Sequence, residues 1–297
     1  MDKRIVSAHA GASITVFIWG ATFIATKMLL DTFSPIEILV IRFVVGYIGL
    51  FLYDLIFLKK VKGKFVLKEE ALFALAGLSG VVIYFMLENV ALTYTYASNV
   101  GILVALAPLT TALLVALLVK DEKLKINFIT GFFVATFGVA LVVFNGSVKL
   151  HLSPKGDILA LSATLGWAVY SITLKRIGQT NLPVTTFTRK IFFWGILFMI
   201  PIALMGDFSL SKGDFSPLNT SLLLFLGLGA SAFCFVSWNF AVKVLGILKT
   251  SAYIYLTPLI SLVTAAIVLQ EQVTFMAIAG CFLILGGLYI SERWKVK

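Results

Sequence analysis

Glu88 stands in the stretch IYFMLENVAL, where only its neighbour Asn89 is also polar apart from the Tyr84 hydroxyl. A carboxylate carried into the centre of a lipid-spanning helix costs roughly 2.5–3.5 kcal/mol on insertion scales, and less near an end. An intramembrane acid is therefore a functional candidate by default. Two chemistries are open to it. It could couple transport to a proton or to a charged substrate. It could instead pair with Lys27 or Arg42, which the topology below places in the same third of the membrane, and hold helices together.

Other residues of the apolar stretches could do chemistry by type and spacing. WGATFIATK (19–27) and WAVYSITLK (167–175) each set a lysine eight residues after a tryptophan. Lys27 and Lys175 near helix ends can snorkel to the headgroups, or join a charge cluster or gate with Arg42 and Arg189. Trp19 and Trp167 lie deeper than the aromatic belt, so they pack or wall a cavity for an apolar or cationic substrate. Tyr84 shares a helical face with Glu88. Tyr170, Trp238, Tyr253 and Tyr255 could extend that aromatic lining. Asn89 and Asn239 need partners if buried, either across helices or in the cavity. Pro108 and Pro258 fall in mid-span, where a proline kinks a helix.

The elements that must carry these residues are membrane helices. Of 297 residues, 60% are hydrophobic and 13% charged. A soluble domain carries about 25% charged residues. The mean hydropathy is +1.03. There is too little polar surface to coat a soluble core, and no apolar–polar alternation that would suggest a barrel. Ten apolar segments are long enough to span: 10–30, 36–58, 71–92, 98–119, 126–145, 157–176, 184–205, 221–242, 247–269 and 273–292. The N-terminal stretch has the look of a signal peptide, but its apolar run continues to Leu30, so it reads as an uncleaved first helix.

The net charge of +10 reads as a topology signal rather than a nucleic-acid surface. With a cytoplasmic N-terminus, the inner connectors gather Lys59, Lys60, Lys62, Lys64, Lys68, Lys120, Lys123, Lys125, Lys243 and Lys249, while the outer loops hold only Lys149, Lys155 and Lys212. That bias places both termini inside, in the plasma membrane. Cys234 and Cys281 lie in apolar segments, which argues against a disulfide framework, and His9 and His151 are too isolated for a metal site. The sequons at Asn145 and Asn219 face outside. The expectation is no metal, no cofactor and no nucleic acid. The partners are a small-molecule substrate and the lipid bilayer, and the protein is a monomer or homodimer.

The two lysines belong to a longer repeat. Trp19 and Lys27 match Trp167 and Lys175; Arg42 matches Arg189, each a few residues after a proline, Pro35 or Pro183. Gly77, Asn89, Ala91 and Pro108 match Gly227, Asn239, Ala241 and Pro258. Glu122, Gly131 and Gly138 match Glu271, Gly280 and Gly287, in unbroken order. The two halves are 1–147 and 148–297, with five spans each. Five is odd, so the second half is inverted, an arrangement typical of secondary transporters with a midplane site. The mate of Glu88 is Trp238, so the acid is not part of the shared scaffold. Gly131, Gly138, Gly280, Gly286 and Gly287 place the fifth and tenth spans at the periphery, packed closely together.

With these stretches in view, the chain resembles the EamA-type members of the drug/metabolite transporter superfamily. The carriers are TFSPIEILVIRF (32–43), NLPVTTFTRK (181–190), YASNVGILVALAPL (96–109) and ILKTSAYIYLTPL (247–259), together with the Glu122–Gly138 and Glu271–Gly287 stretches. The resemblance implies an all-α fold of ten transmembrane helices as two inverted five-helix repeats around a central cavity. It also implies transport of small metabolites, often amino-acid or drug efflux, without ATP hydrolysis. Independently, the chain has no GxxxxGK[ST] phosphate loop, and no HExxH, GxSxG or paired aspartates that would suggest an embedded enzyme. The expected function is secondary export of amino acids or similar metabolites by alternating access. A multidrug exporter of lipophilic cations and an uptake carrier are the alternatives.

Overall fold

The computed structural model describes residues 2–58, 66–95, 97–118, 126–144, 153–205, 208–209, 215–260, 263 and 274–292. Among them the fold is all-α, with no strand. Helix α1 is Lys3–Leu29, α2 Pro35–Phe57 and α3 Leu67–Tyr94. Helix α4 comes in two pieces, Ala97–Val104 and Ala107–Leu118, and α5 is Ile126–Phe144. In the second half, α6 is Pro154–Ile177, α7 Val184–Met205 and α8 Pro217–Leu245. Helix α9 begins as Ile247–Ser251, tightens to a 3-10 turn over Ala252–Leu256 and resumes at 257–260; α10 is Phe275–Glu292. Six of these helices (α1–α3 and α6–α8) are long and apolar enough to cross a membrane. Large side chains such as Phe57, Leu117 and Phe282 point outward, where lipid is their natural solvent.

Local chemistry explains where the helices start. Helices α2, α6 and α8 each begin with Ser-Pro: Ser34-Pro35, Ser153-Pro154 and Ser216-Pro217. The serine oxygen accepts an orphan backbone N–H and the proline gives up none that the helix needs. At α2 the cap is reciprocal, because Glu37 also accepts from the Ser34 N–H at 2.7 Å. Helix α1 starts seven residues before the expected 10, because Asp2 accepts from the Arg4 N–H at 2.9 Å.

The middles of α3 and α8 are π-helical, over Gly77–Ile83 and Phe225–Phe233. These are corresponding places in the two halves. Each π segment presses on a helix of the other half. A Cβ on Gly77 would stand 2.7 Å from the Gly195 nitrogen of α7, and one on Gly227 would stand 2.5 Å from Val45 of α2. Helix backbones can approach this closely only where side chains are absent.

The centre is filled with aromatic rings. Phe235 lies 5.2–6.2 Å, centroid to centroid, from Phe192, Phe43, Trp19, Tyr170, Phe85 and Trp167. Such tilted and edge-on pairs are favourable beyond the area they bury. Helices α5 and α10 pack against each other: a Cβ on Gly138 would meet the Gly280 carbonyl at 2.7 Å, and one on Gly287 the Gly131 carbonyl at 2.6 Å. Gly286, expected in that contact, has open space around its Cβ position and takes no part in it.

The prolines need correcting. Pro108 is not an interior kink; it is the second residue of the second piece of α4, after a turn at 105–106. A missing N–H costs nothing there. Pro258 sits likewise just after the 3-10 turn of α9. The proline inside a continuous helix is Pro201, in α7. Glu122, Glu271, Asn145, His151 and most of the loop lysines lie outside the described residues.

Candidate functional site

Helices α1, α3, α4, α6 and α9 surround a crevice with about 450 Å³ of empty volume. Its walls are Trp19, Thr22 and Phe23 from α1; Tyr84, Phe85 and Glu88 from α3; Val104 and Ala107 from α4; Trp167 from α6; and Ile254 and Thr257 from α9. The broken middles of α4 and α9 supply one wall.

Glu88 is the acid of this crevice and is 4% exposed. Its Oε2 has no hydrogen-bond partner, and it makes no ion pair among the described residues. The Tyr84 hydroxyl hydrogen-bonds its carboxyl group, and the Arg42 guanidinium acts on it through space. Arg42 is 1% exposed, donates from Nε to Ser231 Oγ at 3.0 Å, and lies over the Phe85 ring at 4.4 Å. Its Nη2 is unpartnered too. An acid and a guanidinium, both buried, thus share a region with no ion pair between them among the described residues. Leaving hydrogen-bonding groups of buried charges unmet is costly.

The crevice is aromatic around the acid. Trp19 and Trp167, mates in the repeat, meet edge-on at 5.3 Å, and Tyr84 lies 5.1 Å from Trp167. The mates differ in one respect. Trp19 donates its indole N–H to the Ala230 carbonyl at 3.0 Å, whereas the Trp167 N–H is buried with no partner among the described residues.

Five residues expected in the cavity lie elsewhere. Asn89 donates to the Pro35 carbonyl at 3.3 Å and ties α3 to the start of α2. Asn239 accepts from the Tyr170 hydroxyl at 2.7 Å and donates to Thr188 at 2.9 Å, so Tyr170 and Asn239 form a buried chain linking α6, α8 and α7. Trp238 is fully buried, packed on Trp19 and Trp167. Tyr253 pairs its hydroxyl with His9 Nδ1 at 2.5 Å, joining α9 to α1. Asn239, Tyr170 and Tyr253 spend their polarity on the scaffold, as burial requires, whereas the Asn89 Oδ1 and the Trp238 indole N–H are buried with no hydrogen-bond partner among the described residues.

Nor does the charge cluster form as expected. Lys27 does not pair with Glu88; its Nζ donates to the Leu92 carbonyl at 2.7 Å. Arg189 forms an ion pair with Asp54 at 2.9 Å and lies over Phe51, anchoring α7 to α2. Beside it, Lys190 and Trp194 of α7 both donate to Glu70 of α3. Lys175 lines a separate crevice, with about 510 Å³ of empty volume, together with Gln179, Val242 and Lys243.

Sequence reasoning missed Thr22, Phe23, Phe85, Val104, Ala107, Ile254 and Thr257. A helical-face argument would have found some of them. Trp19, Thr22 and Phe23 stand at i, i+3 and i+4, so a cavity-facing Trp19 carries the other two with it. Val104, Ala107, Ile254 and Thr257 carry no comparable signal, because the helix breaks expose them.

Comparison with known proteins agrees with this architecture. The EamA-like transporter family matches residues 6–144 and 154–292. An uncharacterized transporter of Archaeoglobus fulgidus is 30% identical, over 95% of this chain and 96% of that protein. The uncharacterized transporter YyaM of Bacillus subtilis is 28% identical, over 92% and 89%. A probable terminal-alkyne amino-acid exporter of Streptantibioticus cattleyicolor is 26% identical, over 94% and 91%. One crystal structure superposes with a TM-score of 0.75 at 17% identity, covering 96% of this chain and 97% of that one, a likeness of fold alone. With its full-length relatives named as transporters and both halves matched, this multi-pass helical membrane protein belongs to the EamA-like transporter family.

Proposed function

We propose that this transporter is a secondary carrier that exports amino acids or similar small amine-bearing metabolites across the plasma membrane, with both termini in the cytoplasm. The halves 1–147 and 148–297 act as inverted repeats that expose the crevice alternately to each side. The carrying observation is Glu88, a buried carboxylate with an unpartnered oxygen in a crevice walled by Trp19, Tyr84 and Trp167. A substrate ammonium on that oxygen would satisfy the acid and lie against ring faces, where cations are attracted. The name of the Streptantibioticus relative, an amino-acid exporter, supports the same class.

The test is transport by protein reconstituted into vesicles, with wild type and Glu88→Gln compared across amino acids and organic amines. Glu88→Gln should abolish or strongly reduce transport of the amine-bearing substrates. Unchanged transport by the variant would remove Glu88 from recognition. The second reading is export of lipophilic cations, favoured by the same acid among aromatic rings. It requires that a carboxylate on the substrate weaken binding rather than strengthen it.

A further inference from the structure

We infer that Lys27 is a specificity-determining residue, which takes the carboxylate of a zwitterionic substrate whose ammonium sits on Glu88. This rests on the reading of Glu88 just given and adds a second point of recognition.

The geometry starts from two helical turns. On α1, Lys27 is four residues beyond Phe23, and on α3, Leu92 is four residues beyond Glu88. Residues four apart share a helix face, about 6 Å apart along the axis. Phe23 and Glu88 both line the crevice. Lys27 reaches from α1 to α3 and donates to the Leu92 carbonyl at 2.7 Å. Its ammonium therefore bridges the two helices one turn along α3 from the acid.

Lys27 is exposed and makes no ion pair among the described residues. An ammonium has three donors, and one is given to a neutral carbonyl near the end of α3. A carboxylate is the stronger acceptor for such a donor. The crevice thus carries a negative group in its wall and a positive group one turn away. A molecule with both charges at short separation meets both, and brings no net charge into the apolar interior.

Arg42 is the other cation near Glu88, and its position argues against this role. It does not line the crevice, and it is held by Ser231 and the Phe85 ring. In the second half the lysine recurs as Lys175, but Trp238 replaces the acid. The two-charge arrangement therefore belongs to one half alone.

Matched ligand pairs differing only in the carboxylate test this: phenylalanine with phenethylamine, tyrosine with tyramine, and leucine with isoamylamine. Binding to the purified full chain is measured by calorimetry and thermal shift. Wild type should bind the amino acid of a pair at least about tenfold more tightly than its amine. Lys27→Met keeps the apolar stem and should erase that ratio without weakening the amine, and Lys27→Arg should restore it. Glu88→Gln should weaken both members of each pair. If Lys27→Met leaves the ratio intact, or weakens both ligands equally, the inference is overturned while the role of Glu88 stands. If Glu88→Gln changes neither ligand, or wild type binds no member of any pair, the functional reading falls with it.

Discussion

Lys27 of α1 donates to the Leu92 carbonyl of α3, one helical turn beyond Glu88, while the acid keeps an oxygen unpartnered in the crevice wall. An ion pair between them would have neutralised the crevice. Among the described residues no such pair forms, and the second half, with Trp238 in place of the acid, does not repeat the arrangement.

The repeat-related tryptophans should respond differently to loss of the indole N–H. Trp19→Phe gives up the hydrogen bond to the Ala230 carbonyl, so it should cost about 1–2 kcal/mol. Trp167→Phe removes a donor that has no partner, and should cost less than Trp19→Phe, about 1 kcal/mol of packing or under. Thermal unfolding of the two variants in detergent checks the order. Equal losses would mean that both indoles have equivalent partners.

Neighbouring glycines on α10 make a sharper contrast. An alanine at Gly287 would press its Cβ to within 2.5 Å of the Ala135 nitrogen, while an alanine at Gly286 would meet nothing within 4 Å. Gly287→Ala should destabilise by about 1–3 kcal/mol through overpacking. Gly286→Ala should be neutral or stabilise by up to about 1 kcal/mol, the gain in helix propensity. Melting temperatures of the two variants, one residue apart, decide the matter.

The chain from Tyr170 through Asn239 to Thr188 ties α6, α8 and α7 together. Asn239→Leu leaves two hydroxyls without their partner and should lower stability by about 1–2 kcal/mol. Tyr170→Phe removes one link, nearer the 0.6 kcal/mol average for hydrogen bonds between membrane helices. Because neither residue lines the crevice, ligand affinity should change by less than about threefold in Tyr170→Phe. Calorimetry that found a larger loss would place the chain in recognition.

Glu70 and Asp54 anchor α7 through different numbers of contacts. Glu70 accepts from both Lys190 and Trp194, while Asp54 pairs with Arg189. Glu70→Ala should therefore destabilise more than Asp54→Ala. The Asp54–Arg189 pair is partly exposed and should contribute about 1 kcal/mol or less. A double-mutant cycle on each pair, run at two salt concentrations, measures the difference.

Much of this was written in the chain. Ten apolar segments among few charges, without the alternation of a barrel, determine a helical membrane protein, because only helices and closed barrels satisfy the backbone in lipid. The Ser-Pro starts of α2, α6 and α8 are local chemistry, readable without any partner. The ordered matches from Trp19 and Trp167 to Gly138 and Gly287 reveal two related halves, and an acid in an apolar stretch marks Glu88 whatever surrounds it. What the sequence could not decide is which buried polar groups are already satisfied. Asn239, Tyr170 and Tyr253 have the same composition signal as Glu88, but their partners lie on helices 51 to 244 residues away. The bonds that withdraw them from the crevice exist only once the helices pack. Lys27 is the plainest case. Its type and depth suggested Glu88, and only the approach of α1 to the end of α3 gave it a carbonyl instead, because hydrogen-bond choice depends on distances that chain spacing does not set.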